Sequence, residues 1–152
     1  MDYVRPPGMS ASVVYRDPRA AIAWLEKAFG FETLMIVENE DGSIGHSELR
    51  LGEGLIYVGR EWDERHGSPA SQGGVNTQSL SFHFADGLDE HFARAKAAGA
   101  TVLREPSDQF YGDRNYMVAD PEGHVWGFSQ TVKTMTYEEM AEAGRVSVRE
   151  RL

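Results

Sequence analysis

The sequence predicts an α+β fold built from two βαβββ modules. Strand and helix patterns occur in the same order twice along the chain. Both predicted helices follow an aspartate and end at a glycine, and the pairs Asp17/Gly30 and Asp86/Gly99 have the same spacing. The second module closes with a hairpin whose turn is Asp-Pro-Glu-Gly at residues 120–123. Such an internal repeat indicates two copies of one structural unit.

Module one is predicted over residues 10–60. Asp17 caps its helix and Pro18 occupies the first helical position. The apolar stripe that faces the sheet is Ile22, Leu25, Ala28 and Phe29. The predicted strands are 10–15, 32–38, 44–51 and 55–59.

A polar stretch rich in glycine and serine, residues 61–77, reads as a linker. It contains Trp62, a candidate exposed aromatic ring for stacking on a ligand.

Module two is predicted over residues 78–131, with Asp86 as the helix N-cap and Leu88, Phe92 and Ala95 facing inward. The two modules form one domain, 1–131, and residues 132–152 form a helical tail that starts with a capping box, Thr136 and Glu139. The predicted elements are strands 79–85, 101–104, 114–119 and 125–130 and a helix at 88–98.

Composition limits the classes of function. The formal net charge of −9 argues against nucleic acid as the main partner, because phosphate binding needs a basic surface. No apolar run is long enough for a membrane span, and residues 1–10 lack the apolar core of a secretory signal. The chain has no cysteine, which fits a cytoplasmic protein.

The segment Asp-Pro-Glu-Gly-His-Val-Trp at 120–126, closing a βαβββ repeat, resembles the vicinal oxygen chelate superfamily. This superfamily includes glyoxalase I, extradiol dioxygenases, fosfomycin-resistance proteins and bleomycin-binding proteins. The resemblance covers residues 10–131 and implies a cupped mixed sheet around a cavity for a small organic molecule. It also implies a homodimer.

In metal-dependent members, ligands come from the first and last strands of each module. The matching positions here are Ser10, Val58, Ser79 and Gly127. None of these side chains is a good ligand for a divalent metal. We therefore expect no metal and no other cofactor.

Strand alternation directs Leu80, Phe82 and Phe84 under the second helix, and the serines and histidine between them into the cavity. Arg114 shares a strand face with Tyr116, and if that face lines the cavity, the guanidinium could hold a carboxylate or phosphate. The alternative interpretation is an arginine that braces the hairpin through Asp113 or Glu122. The candidate cavity residues of module two are Ser79, Ser81, His83, Arg114 and Tyr116.

His46 and Glu48 share one face of the third strand. Such a pair can bind a metal or do acid/base work. A hydrogen-bonding pair on a polar face is the favoured interpretation.

Three functions fit this pattern. The first is a metal-independent small-molecule-binding protein, similar to drug-binding resistance proteins. The alternative is a glyoxalase-like lyase or isomerase in which His83, Glu48 or Arg114 moves protons. A purely structural or regulatory dimer is the third possibility.

Overall fold

The computed structural model describes residues 3–151 and divides the chain into two compact units, Met1–Val75 and Asn76–Leu152. Each unit contains one four-stranded mixed sheet with a helix from its own βαβββ module. The predicted α+β fold with two βαβββ modules is therefore confirmed.

The sheet of module one has the strand order β1-β4-β3-β2, with β1 and β4 parallel and the other pairs antiparallel. The side chain of Asp17 accepts a hydrogen bond from the Ala20 N–H, and Gly30 closes the helix at φ 80°. Both predicted caps are confirmed. The elements are β1 Ser10–Tyr15, α1 Pro18–Phe29, β2 Glu32–Glu38, β3 Ile44–Leu51 and β4 Gly54–Arg60.

Alternation along the strands gives the sheet of module one two different faces. The face under α1 carries Leu49, Ile56 and Val58, which are buried with the predicted helix stripe. The opposite face carries Glu48 on β3 beside Tyr57 on β4, which are Cα partners in the sheet. We call this second surface the open face of module one.

Module two repeats the topology, with the order β5-β8-β7-β6 and a parallel β5–β8 pair. Strand β6 is longer than predicted and includes Pro106, which lies at a register shift between Arg104 and Ser107. A proline is tolerated there because β6 is an edge strand. The elements are β5 Ser79–Phe84, α2 Leu88–Ala97, β6 Thr101–Asp108, β7 Asp113–Ala119 and β8 Val125–Thr131.

Helix α2 begins at Leu88, as predicted, but the predicted N-cap, Asp86, was wrong by one residue. The N-cap is Gly87 at φ 79°, and no side chain caps the helix. Asp86 therefore lies outside the helix, because the additional residue turns the chain in the left-handed region that favours glycine. The Leu88 N–H donates instead to Oε1 of Gln130 on β8, at 3.1 Å.

The turn at residues 120–123 is organised by the buried carboxylate of Asp120. Its Oδ1 accepts from the backbone N–H groups of Glu122 and His124, both at 3.0 Å. Its Oδ2 accepts from Nε1 of Trp126 at 3.1 Å, and Trp126 is fully buried. The motif that carries the family resemblance is thus a structural device that fixes the hairpin to its core.

The tail contains a third helix, α3 Tyr137–Gly144, with the predicted capping box between Thr136 and Glu139. Within the linker, residues Pro69–Ser71 form a short 3₁₀ turn that the sequence pattern did not predict. None of the helices described in residues 3–151 is both long enough and apolar enough to cross a membrane.

Candidate functional site

The face of the module-two sheet that points away from α2 carries a row of polar side chains. Cα pairing joins His83 on β5 to Ser129 on β8, and Ser129 to Asn115 on β7. Asn115 in turn pairs with Ser107 on β6. We call this surface the open face of module two, and its row crosses all four strands.

His83 belongs to this row, with an exposed imidazole. Its Nδ1 lies 3.0 Å from Oγ of Ser129, and its Nε2 lies 3.2 Å from Oγ1 of Thr131. Thr131 also donates to Asp113 at 2.8 Å. Ser79 and Ser81 lie on the same exposed face, where the sequence placed them. The structure thus brings together three of the predicted residues: Ser79, Ser81 and His83.

Asn115 is the buried polar residue of the row, with 8 % of its surface exposed. Its Nδ2 donates to the Tyr111 hydroxyl at 2.8 Å, whereas its Oδ1 is buried without a hydrogen-bond partner. Rotating the amide by half a turn would only move the unpaired atom from oxygen to nitrogen. A buried polar group without a partner costs about 1–3 kcal/mol.

Arg114 and Tyr116 are not in this row, so their predicted position facing His83 was wrong. Arg114 Nε donates to Asp89 at 2.8 Å and Nη1 donates to Asp108 at 3.0 Å. Asp89 is on α2, so the guanidinium lies on the helix face. The arginine is a brace, although its partners are not the predicted Asp113 and Glu122.

Tyr116 is fully buried beneath α2. Its ring meets that of Phe92 at 5.1 Å, and its hydroxyl lies 2.6 Å from Nδ1 of His91. Burial raises the pKa of the Tyr116 hydroxyl well above its usual range. His91 is therefore half-buried and bonded to the core.

The open face of module one has a carboxylate at its centre. Glu48 is 0 % exposed, and four hydrogen bonds reach it. The Tyr3 hydroxyl donates to Oε2, whereas Nε of Arg5 at 3.1 Å and Nη2 of Arg5 both donate to Oε1. His46 Nε2 lies 3.1 Å from the same Oε1. The predicted pairing of His46 with Glu48 is thus present as a hydrogen bond.

The charge of Glu48 is stabilised by residues that precede the first strand. The hydrogen bond from Arg5, with those from Tyr3 and His46, outweighs burial and lowers the pKa of Glu48 to about 2. The Arg5 guanidinium also lies 5.3 Å from the ring centroid of Tyr57. Glu48, Tyr57 and His46 therefore surround one side of a guanidinium.

Trp62 is exposed and lies in the linker, not on a strand of either sheet. Its ring stacks on that of His66 at 4.1 Å, so a side chain of the same linker covers one of its faces.

The positions that the resemblance assigns to metal ligands do not fit a metal. Val58 points under α1 and is fully buried, and Tyr57 takes the open-face position of β4 instead. Gly127 has no side chain, and Ser81 Oγ lies 3.1 Å from where its Cβ would be. In residues 3–151 no three histidine or acidic side chains converge as a metal site would require.

Sequence reasoning missed Asn115, Tyr3 and Arg5. Alternation puts Asn115 on the face opposite Arg114 and Tyr116, but it does not decide which of the two faces points away from α2. Tyr3 and Arg5 lie in a segment without periodicity, which offers no pattern that would place it on the sheet.

The chain matches the family model of the Glyoxalase/Bleomycin resistance protein/Dioxygenase superfamily over residues 9–128. It is 33 % identical over 142 residues to the uncharacterized protein Mb0911c of Mycobacterium bovis, covering 90 % of this chain and 91 % of that protein. The uncharacterized protein Rv0887c of Mycobacterium tuberculosis is also 33 % identical, with 90 % and 82 % covered.

Solved structures show the same likeness. TioX from Micromonospora sp. ML1 superposes with a TM-score of 0.68 at 31 % identity, covering 83 % of this chain and 99 % of that one. A glyoxalase/bleomycin resistance protein/dioxygenase family enzyme from Burkholderia phytofirmans PsJN shares the fold, with a TM-score of 0.62 at 19 % identity and 80 % and 96 % covered. The chain belongs to the glyoxalase/bleomycin resistance protein/dioxygenase superfamily.

Proposed function

We propose that this protein is a metal-independent binding protein for a small organic molecule, held on the open face of module two. The observation that carries the proposal is the buried Asn115 amide with an unpaired Oδ1. A ligand that donates a hydrogen bond to this oxygen would recover the free energy that the unpaired group costs.

The neighbours of Asn115 define the class of molecule. Ser129, Ser107 and His83 are neutral hydrogen-bonding groups in the same row across the sheet. Met117 lies next to Asn115 on the same face of β7 and offers an adaptable apolar contact. The surface suits an uncharged molecule with an amide, hydroxyl or ring N–H group attached to an apolar body.

The test is a ligand-observed NMR screen of uncharged amides, phenols and lactams. The matched pair of variants is Asn115→Leu and Arg114→Ala, since these adjacent side chains lie on opposite faces of one strand. Hits should bind wild type and Arg114→Ala alike and should lose at least tenfold in affinity on Asn115→Leu. Hits that bind Asn115→Leu as tightly as wild type would refute the proposal.

A second candidate function is acid/base catalysis by His83, the surviving member of the lyase or isomerase hypothesis. Arg114 is engaged by Asp89 and Asp108, and Glu48 is engaged by Arg5 and Tyr3. His83 is exposed, and Asp113 Oδ2 lies 3.9 Å from its Nδ1. Turnover of a bound hit that disappears in His83→Gln would support this function, and binding without turnover would favour the first.

We also propose a homodimer, as this fold often completes its cavity with a second module. Helix α3 supports it, because none of its residues is buried in the described chain. A chain of 16.9 kDa should then scatter light as a particle of twice that mass, and a monomer at micromolar concentration would contradict the proposal.

A further inference from the structure

We infer that the open face of module one is a binding site for an organic cation of the amidine or guanidine class, which Arg5 of the same chain occupies. The site consists of the Glu48 carboxylate, the Tyr57 ring and the His46 imidazole. It lies on different residues and in a different module from the site of the proposed function, so either can fail alone.

The two members of the ion pair differ in their exposure to solvent. Glu48 is 0 % exposed, whereas the side chain of Arg5 is 51 % exposed. A buried carboxylate needs a cation, because removing an ion from water is costly without a partner. A half-exposed arginine loses little when it returns to water. Tyr3 and Arg5 themselves help to cover the carboxylate, so the half-exposed guanidinium is the exchangeable member of the pair.

The contact between Arg5 and Glu48 leaves a stronger geometry unused. Both nitrogens of Arg5 that reach Glu48 donate to the single oxygen Oε1, and the Tyr3 hydroxyl takes Oε2. The stronger arrangement of a planar cation on a carboxylate uses both oxygens through two parallel hydrogen bonds. A free amidinium that displaced Tyr3 and Arg5 together could adopt this arrangement.

An aromatic ring, that of Tyr57, lies beside the carboxylate. Tyr57 lies opposite Glu48 in the sheet, 5.3 Å from the guanidinium carbon, and His46 lies 5.1 Å from the Tyr57 ring. An aromatic face next to a carboxylate recognises planar organic cations through charge and stacking. One carboxylate and one imidazole are too few protein ligands for a divalent metal, which takes at least three.

The segment that carries Arg5 is held on the sheet by few contacts. Residues 3–9 are exposed and precede the first strand. Val4 and Met9 are 82 % and 93 % exposed, so little apolar surface holds this segment on the sheet. A ligand that enters pays only for releasing the contacts of Tyr3 and Arg5.

The test uses benzamidine as the cation and benzamide as its neutral match, titrated calorimetrically into the full chain. The key variant is Arg5→Ala, and its matched control is Arg50→Ala. Arg50 is on the same sheet and is equally exposed at 50 %, but its partner Glu32 is itself 63 % exposed.

Arg5→Ala should bind benzamidine at least tenfold more tightly than wild type, which corresponds to a segment that is docked about nine-tenths of the time or more. Benzamide should not gain affinity, and Arg50→Ala should behave as wild type. Adding Glu48→Gln to Arg5→Ala should abolish the gain.

If Arg5→Ala does not fold, Arg5→Gln takes its place, because it keeps amide donors for Glu48 without the charge. Benzamidine should also shift the NMR signals of Tyr3 and Arg5 in wild type. Equal affinity of a folded Arg5 variant and wild type for benzamidine, or an equal gain for benzamide, would overturn the inference.

Discussion

The open faces of the two modules differ in how their polar groups are satisfied. In module one, four hydrogen bonds from three side chains converge on the buried carboxylate of Glu48. In module two, the row is neutral at its centre, and the buried Asn115 retains an unpaired oxygen. Two copies of one topology thus carry a charged site whose carboxylate is fully hydrogen-bonded and a neutral site with an unpaired amide oxygen. Repeated topology therefore does not imply repeated chemistry.

The largest expected effect on stability is at the contact between Arg5 and Glu48. Arg5→Ala should lower the free energy of unfolding, because it leaves the buried carboxylate of Glu48 without its cation. Arg50→Ala should lower it much less, because both members of its ion pair are exposed. Urea unfolding followed by tryptophan fluorescence measures both values. Equal losses would mean that burial of Glu48 does not distinguish the two arginines.

The second prediction concerns the stability of the fold at acidic pH. The pKa of Glu48 falls from its ordinary 4.5 to about 2 because Arg5 and its neighbours bind the charged form. Between these values the unfolded chain binds more protons than the native one, so acid favours unfolding. The contribution of Glu48 to stability is complete above pH 4.5 and should disappear as the pH falls toward 2.

The control for this titration is Glu48→Gln, which should flatten the pH dependence of stability between pH 4.5 and 2. Asn115→Leu on the other open face should leave the slope unchanged, because no titrating group is removed. An unchanged slope in Glu48→Gln would show that other carboxylates dominate acid unfolding.

A smaller effect is expected from Arg114→Ala. Its two ion pairs connect β7 to α2 and β6, and both aspartates are exposed. The loss should appear as a slightly lower melting temperature without ligand, because solvent screens both ion pairs. Lys96, whose ion pair with Glu105 is exposed on both sides, provides the control, and Lys96→Ala should have a smaller effect. No loss in Arg114→Ala would remove its role as a brace.

The smallest expected change, and one of opposite sign, is at Asn115. Asn115→Leu removes a buried amide oxygen that has no hydrogen-bond partner and keeps a similar volume, so it should raise the free energy of unfolding by up to about 1 kcal/mol. Tyr111, the partner that loses a donor, is exposed and can bond to water. A loss of more than 1 kcal/mol would indicate that a water molecule already satisfies the amide.

Much of the fold could be predicted from the sequence, because periodicity and caps are local. The order of elements and the caps of α1 required only neighbouring residues. The N-cap of α2 was missed, because one additional residue, Gly87, lies between Asp86 and the first residue of the helix. The sequence placed Ser79, Ser81 and His83 correctly, because alternation with three large apolar residues fixes which side of β5 meets the helix.

Alternation did not suffice on β7. It correctly put Arg114 and Tyr116 on one face, but both faces of that strand carry polar groups, so which one meets α2 depends on tertiary packing. The contact of Arg5 with Glu48 joins positions far apart in sequence, and no local rule predicts such a contact. The charged site therefore became visible only in three dimensions.

The close approach of Ser81 to Gly127 bears on how this chain can change over evolutionary time. A carboxylate side chain at position 127 would place its Cβ 3.1 Å from Ser81 Oγ, so the serine would first have to give way. The two positions are therefore coupled, and their substitutions should not act additively. A metal ligand gained at this position would be accommodated more easily once position 81 carries a residue without the hydroxyl, so the order of the two substitutions should matter.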